Sequence, residues 1–125
     1  MKKKTILIVD DEVHILKFLD NFFTDKGFDT ILKESGAEAI KVLHSSKYHV
    51  DLLLTDIAMS DMNGYELYSN AKDIEPDLPI IMMTGFGYDP NHAVVKSKQE
   101  GLTEVIFKPF NMSKLFKTIS KYLDK

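Results

Sequence analysis

Short apolar runs alternate with stretches of helical period along the whole chain. Thr5 to Val9 (TILIV) predicts a buried strand. Ile15, Leu16, Leu19, Phe22 and Phe23 then recur at i, i+1, i+4, i+7 and i+8, which is one apolar face of a helix, and Gly27 ends it. Phe28 to Leu32 (FDTIL) predicts a second, weaker strand. Ser35 and Glu38 form a capping-box pattern that opens a helix carrying Ala37, Ile40 and Leu43 inward. Asp51 to Thr55 (DLLLT) is the third strand, and a loop with Asn63-Gly64 leads to a helix carrying Tyr65, Leu67 and Ala71. Pro79 precedes the fourth strand, Ile80 to Met83, and the loop TGFGYDPNH leads to a short helix near Ala93 to Glu100. Glu104 to Phe107 is the fifth strand, Lys108-Pro109-Phe110 a turn, and Asn111 caps a last helix bearing Leu115, Phe116, Ile119, Tyr122 and Leu123.

Five strand–helix units in succession imply an α/β fold, a parallel sheet with helices on both faces. The right-handed crossover rule leaves few strand orders, among them 2-1-3-4-5. No internal repeat, low-complexity stretch or linker interrupts residues 1–125, so a single domain is expected.

Composition narrows the functional classes. The net charge of −3 gives no basic field for nucleic acid. The absence of cysteine excludes disulfides, zinc thiolates and cysteine catalysis. The N-terminal lysines precede an apolar run, as in a signal peptide, but Ile6 to Val9 is too short for one and meets Asp10, Asp11 and Glu12. No other run is long enough to span a bilayer, so a cytoplasmic protein without membrane contact is expected. The four histidines, His14, His44, His49 and His92, show no metal spacing and are read as surface residues.

The strand ends carry the chemistry. Strand one runs into Asp10 and Asp11, strand three into Asp56, strand four into Thr84 and strand five into Lys108. In open α/β sheets this C-terminal edge is where ligands bind, at the point where strand order reverses. With order 2-1-3-4-5, strands one and three are neighbours there, and three carboxylates converge in one crevice. A hard divalent cation relieves their repulsion, and Mg2+ suits an all-oxygen set that includes one or two carboxylates. Lys108 adds a positive charge and Thr84 a hydroxyl donor. An aspartate so surrounded fits a nucleophile that attacks phosphorus and holds a phosphoryl group. The bland alternatives are turn or capping roles for Asp56, Asp10 and Asp11, with one of the latter pair expected to serve the first helix in any case.

In this order and spacing the pieces ILIVDDE, LLLTDIAMSDMNGYEL, IIMMTG and FKPF resemble the receiver domains of two-component response regulators over nearly the whole chain. The resemblance implies a flavodoxin-like, doubly wound (βα)5 three-layer sandwich. It implies that Asp56 is the phosphoacceptor and that Asp10, Asp11, Asp56 and the backbone carbonyl of Ala58 hold Mg2+. Thr84 and Lys108 would be the switch hydroxyl and the phosphate-binding ammonium, with Lys108-Pro109 in the cis form usual for the family. The donor would be the phosphohistidine of a sensor histidine kinase or phosphotransfer protein. The chain would catalyse its own phosphorylation and dephosphorylation without turning over a separate substrate. Its output would pass to an effector or a second copy through the face of the helix near Ala93 to Glu100, the fifth strand and the last helix.

Three departures from the family pattern bear on the switch. Ser60 stands where proline is usual, Val105 where an aromatic is usual, and the stretch from Thr84 to Lys108 is a residue or two long. That loop, followed by VVKSKQEGL, is similar to receivers attached to hybrid histidine kinases. The Val105 departure keeps a second reading open, a pseudo-receiver that binds protein without phosphorylation. A dehalogenase-type phosphatase is disfavoured because position 58 is Ala rather than a second aspartate. A flavodoxin is disfavoured because aspartates follow strand one, where a phosphate would be repelled.

Overall fold

The computed structural model describes residues 3–56, 61–62, 64–84, 104–107 and 111–123. The strands are β1 (Thr5–Val9), β2 (Asp29–Lys33), β3 (Leu52–Asp56), β4 (Ile80–Thr84) and β5 (Glu104–Phe107). The described helices are α1 (Val13–Asp25), α2 (Gly36–His44), α3 (Gly64–Ile74) and α4 (Met112–Leu123). The strands form one sheet in the order β2-β1-β3-β4-β5, and all pairings are parallel. The helix expected near Ala93 to Glu100 lies outside the described residues.

Side-chain alternation along the strands splits the core in two. Leu7 and Val9 of β1, Leu53 of β3, and Ile80 and Met82 of β4 face one side, where they meet Ala39, Val42 and Leu43 of α2 and Leu67, Tyr68 and Ala71 of α3. Ile6, Ile8, Leu52, Leu54, Ile81 and Met83 face the other, against Leu16, Leu19 and Phe23 of α1 and Leu115, Ile119 and Leu123 of α4. The central strands are therefore apolar on successive residues, Ile6–Val9, Leu52–Leu54 and Ile80–Met83, as a sheet covered on both faces requires. Edge strand β2 is only half-buried, matching its weaker pattern.

α1 ends where its sequence punctuation says. The Phe28 N–H donates to the Phe23 carbonyl (3.0 Å) and the Gly27 N–H to the Thr24 carbonyl (3.0 Å), the paired bonds of a Schellman ending. Gly27 sits at φ +97°, where a side chain is strained although no atom lies within 4 Å of its Cβ position. Gly27→Ala is expected to cost about 1 kcal/mol through backbone strain alone, measured as a shift in the urea midpoint at constant m; an unchanged midpoint would show that the turn relaxes freely.

Two sequence expectations are corrected. The inward set of α2 is Gly36, Ala39, Val42 and Leu43, with Ile40 partly buried, whereas Ala37 is exposed. The helix is rolled because Gly36 itself packs inward against Met62, leaving no room for a Cβ: Met62 Cγ would lie 2.4 Å from it. The third strand runs Leu52–Asp56, so Asp51 lies just before it. Its carboxylate accepts the Thr5 N–H (2.8 Å) and fixes the start of β1 to the start of β3. Both changes tighten the frame around the opposite end of these strands, where the polar residues gather.

Candidate functional site at the carboxyl edge of the sheet

Register brings the aspartates together. β1 and β3 pair in parallel through Val9 opposite Thr55, so the next step along each strand sets Asp10 beside Asp56. Asp56 is itself the last residue of β3, paired with Met83 of β4. Neighbouring strands are about 4.8 Å apart, and carboxylate oxygens of Asp10, Asp11 and Asp56 all lie within 4.8 Å of one another. Asp10 and Asp56 are buried and Asp11 is exposed, so the cluster is open to water on one side.

Each aspartate is placed by its backbone. The Asp10 N–H donates to the Lys33 carbonyl of β2 (3.2 Å), and Asp10 Oδ1 accepts the Glu12 N–H (2.9 Å). Asp10 thus turns the chain from β1 into α1. Glu12 is the N-cap residue and makes no side-chain cap bond of its own. Beside Asp56, the fully buried Thr55 donates through Oγ1 to the Asp56 carbonyl (3.0 Å). That bond satisfies a polar group where β3 leaves the sheet.

An all-oxygen set of three converging carboxylates suits a hard cation that keeps several of its waters, which is the chemistry of Mg2+. Crowded together, these carboxylates repel one another, and a divalent cation offsets that cost. The donor set therefore fits the metal expected from the sequence.

The remaining expected site residues are placed in part. Thr84 ends β4 opposite Phe107 of β5, so its backbone sits at the same sheet edge, one residue past the partner of Asp56. Lys108 follows Phe107 in the chain, but Lys108, Pro109 and Ala58 lie outside the described residues, as does the side chain of Val105. Of the histidines, His14, His44 and His49 are exposed, as expected, and His92 is outside the described residues.

One residue close to the site was missed from sequence. Asp61 accepts the Gly36 N–H at Oδ1 (3.1 Å) and the Ala37 N–H at Oδ2 (2.9 Å), the first two residues of α2. The α2 N-terminus also has its own cap, Ser35 Oγ accepting the Glu38 N–H (3.2 Å). The Ala37 N–H above all, helped by other backbone donors and opposed by slight desolvation, holds the carboxyl of the exposed Asp61 below the usual carboxylate range. A depressed folded value means that the charged form stabilises the fold above the unfolded carboxylate pKa near 4 and that this contribution is lost as pH falls through the folded value. Asp61→Asn is expected to lower stability at pH 7 by about 0.3–1 kcal/mol, the scale for an anion at a helix N-terminus. The gap from wild type should narrow as pH falls below the ordinary carboxylate range, as followed by urea unfolding across pH. A gap independent of pH would assign the effect to something other than charge.

A doubly wound parallel sheet with three aspartates at its switch point defines a class of α/β domain with an acidic crevice at the carboxyl edge of the sheet. The model of the response regulator receiver domain matches residues 6–120, and the chain belongs to that family. Sporulation initiation phosphotransferase F of Bacillus subtilis is 30% identical over 123 residues, covering 98% of this chain and 96% of that protein. A CheY-like response regulator receiver domain protein from Methanospirillum hungatei superposes with a TM-score of 0.90 at 30% identity, covering 98% of this chain and 95% of the other. The response regulator TrrA of Thermotoga maritima, solved in complex with Mg(2+)-BeF, superposes with a TM-score of 0.82 at 28% identity, covering 95% of this chain and 98% of the other. The chain spans about a quarter of the length of the first curated relatives it matches, which are 32% identical. Among the described residues, no helix is long and apolar enough to cross a membrane.

Proposed function

We propose that this domain is a phosphorylation-activated signalling switch whose phosphoacceptor is Asp56. The observation that carries the reading is the convergence of Asp10, Asp11 and Asp56 oxygens within 4.8 Å at the carboxyl edge of the sheet. A similar response regulator solved with Mg(2+)-BeF and a phosphotransferase relative of nearly the same length support it.

The step is a transfer from phosphohistidine of a sensor histidine kinase or phosphotransfer protein. A carboxylate oxygen of Asp56 attacks phosphorus, an O–P bond forms, the N–P bond to imidazole breaks, and the departing nitrogen takes a proton from solvent. Asp10, Asp11, Asp56 and the Ala58 carbonyl are the residues that would hold Mg2+, which when bound neutralises phosphoryl oxygen charge. Lys108 contributes an ammonium to the same oxygens and Thr84 a hydroxyl donor. Because the β3 ladder runs through Asp56, its carboxylate enters the reaction already oriented. The signal leaves through β5, α4 and the chain between β4 and β5, toward an effector or a second copy of the domain.

Intact mass after incubation with acetyl phosphate and Mg2+, for wild type and Asp56→Asn, tests the reading. One phosphoryl group gained by wild type, and lost in the variant or without Mg2+, supports it. No gain by folded wild type would leave the pseudo-receiver that binds partners without phosphorylation.

A further inference from the structure

We propose that β2 is a docking edge for a second copy of this chain, the two domains pairing antiparallel through residues 29–33 so that their sheets become one. The inference is independent of which residue accepts phosphate.

β2 is the outer strand of the sheet, at the far edge from β5. Its bonds to β1 fix which way each residue points. The Asp29 N–H donates to the Lys4 carbonyl (2.9 Å) and the Asp10 N–H to the Lys33 carbonyl (3.2 Å), so the backbone groups of Asp29, Ile31 and Lys33 turn inward to β1. Those of Thr30 and Leu32 turn outward and have no backbone partner among the described residues. The side chains of Ile31 and Leu32 straddle the sheet, Ile31 against the α2–α3 side of the core and Leu32 against the α1–α4 side, and neither is fully covered.

Edge strands are commonly guarded against pairing by proline, a bulge or charge. β2 has no proline, and it pairs with β1 through five successive residues without a bulge. Its two charges, Asp29 and Lys33, stand at opposite ends of the strand and are opposite in sign. Neither has an ion-pair partner among the described residues.

That placement is self-complementary. With a two-fold axis at Ile31, Thr30 of one copy faces Leu32 of the other, and the outward N–H groups of each copy meet the outward carbonyls of its partner. Ile31 then faces its own counterpart, and Asp29 faces Lys33 at both ends. These last are non-hydrogen-bonded pairs, whose side chains approach most closely. The neighbouring registers that also match outward groups, centred on Thr30 or on Leu32, set Asp29 or Lys33 opposite Ile31 and lose both ion pairs. The charges that guard the edge against an unrelated strand therefore favour this chain's own strand, in a single register. β5 stays at the two far ends of the joined sheet, so this contact competes with no partner that docks there.

Sedimentation equilibrium of the full chain from micromolar to millimolar concentration, paired with amide hydrogen exchange by NMR, tests the pairing. Wild type should pass from the mass of one chain to that of two. The Thr30 and Leu32 amides should exchange freely in the monomer and become about tenfold more protected where the dimer prevails, while the Ile31 and Lys33 amides are protected throughout. Lys33→Asp and Asp29→Lys each set like charges opposite one another at both ends, and each should raise the dimer Kd about tenfold. The double variant, Asp29→Lys with Lys33→Asp, restores opposite charges and should return the Kd to within about threefold of wild type. Wild type that stays monomeric at millimolar concentration would overturn the proposal. So would a dimer whose Kd neither single variant moves, or a double variant as weak as the single ones.

Discussion

Asp56→Asn is expected to abolish phosphoryl gain and, in magnesium-free buffer, to raise the melting temperature. The first effect follows from the nucleophile: an amide offers no anionic oxygen to phosphorus, so intact mass should stay at the unmodified value however long the incubation. The second follows from the crowding of Asp10, Asp11 and Asp56. At such separations two like charges near a protein surface repel by on the order of 1–4 kcal/mol, depending on how much water screens them. Removing one of three charges removes two such pairs. Loss of a carboxylate acceptor offsets part of the gain, which leaves a net stabilisation of about 1–3 kcal/mol. Adding Mg2+ should then stabilise wild type more than the variant, because only wild type keeps the full ligand set. Thermal unfolding with and without Mg2+ reads both terms. A melting temperature lower in the variant than in wild type without Mg2+ would mean that the cluster is not in net repulsion.

Phe23→Ala is expected to cost about 3–5 kcal/mol, the range for truncating a buried aromatic. Phe23 is fully buried between α1 and the sheet, edge-on to Phe22 with ring centroids 5.1 Å apart and to Phe28 at 6.0 Å. Its carbonyl also accepts the Phe28 N–H that closes α1. Truncation leaves a cavity bounded by β-strand and helix backbones that cannot collapse far, and it removes both ring contacts at once. Folded domains of this size are stable by about 6–19 kcal/mol, so the loss is a large share of the total. Phe18, on the same helix but 54% exposed, supplies the contrast: Phe18→Ala should stay within about 0.5 kcal/mol of wild type. Urea unfolding of the two variants side by side settles the assignment. Equal costs would mean that Phe18 is covered in solution.

What the sequence revealed about the fold and what it withheld have separable physical causes. The strands were legible because β1, β3 and β4 are apolar at successive positions and are punctuated by Asp, Thr and Pro. The helices were legible where one face does all the packing, as in α1 and α4. Ala37 was misplaced because a helix as short as α2 leaves its roll ambiguous by a residue, and its phase is set by Gly36 against Met62, a contact between distant segments. Tyr68 was passed over, although it is buried beside Leu67, because a tyrosine reads as amphipathic until its surroundings are known. Asp10, Asp11 and Asp56 could be read as a site because strand ends of a parallel sheet share one edge. Asp61 could not: its partners are N–H groups of α2, and a backbone donor leaves no mark on the side-chain pattern. An acidic residue shortly after a strand, in a chain whose second helix opens on Gly, is the signal to look for.

The parallel register has a kinetic consequence. Thr5 pairs with Asp29 and Ile6 with Leu52, so each contact of the central strands joins positions tens of residues apart. Asp10 and Asp56 become neighbours only after α1, β2 and α2 have been laid down between them. The chain has to close these large loops before it recovers the burial they permit, which is the signature of slow, high-contact-order folding. The acidic crevice exists only once β1 and β3 have paired, and it is lost when they separate. A cation that binds there stabilises the assembled domain and has nothing comparable to hold in the unfolded one.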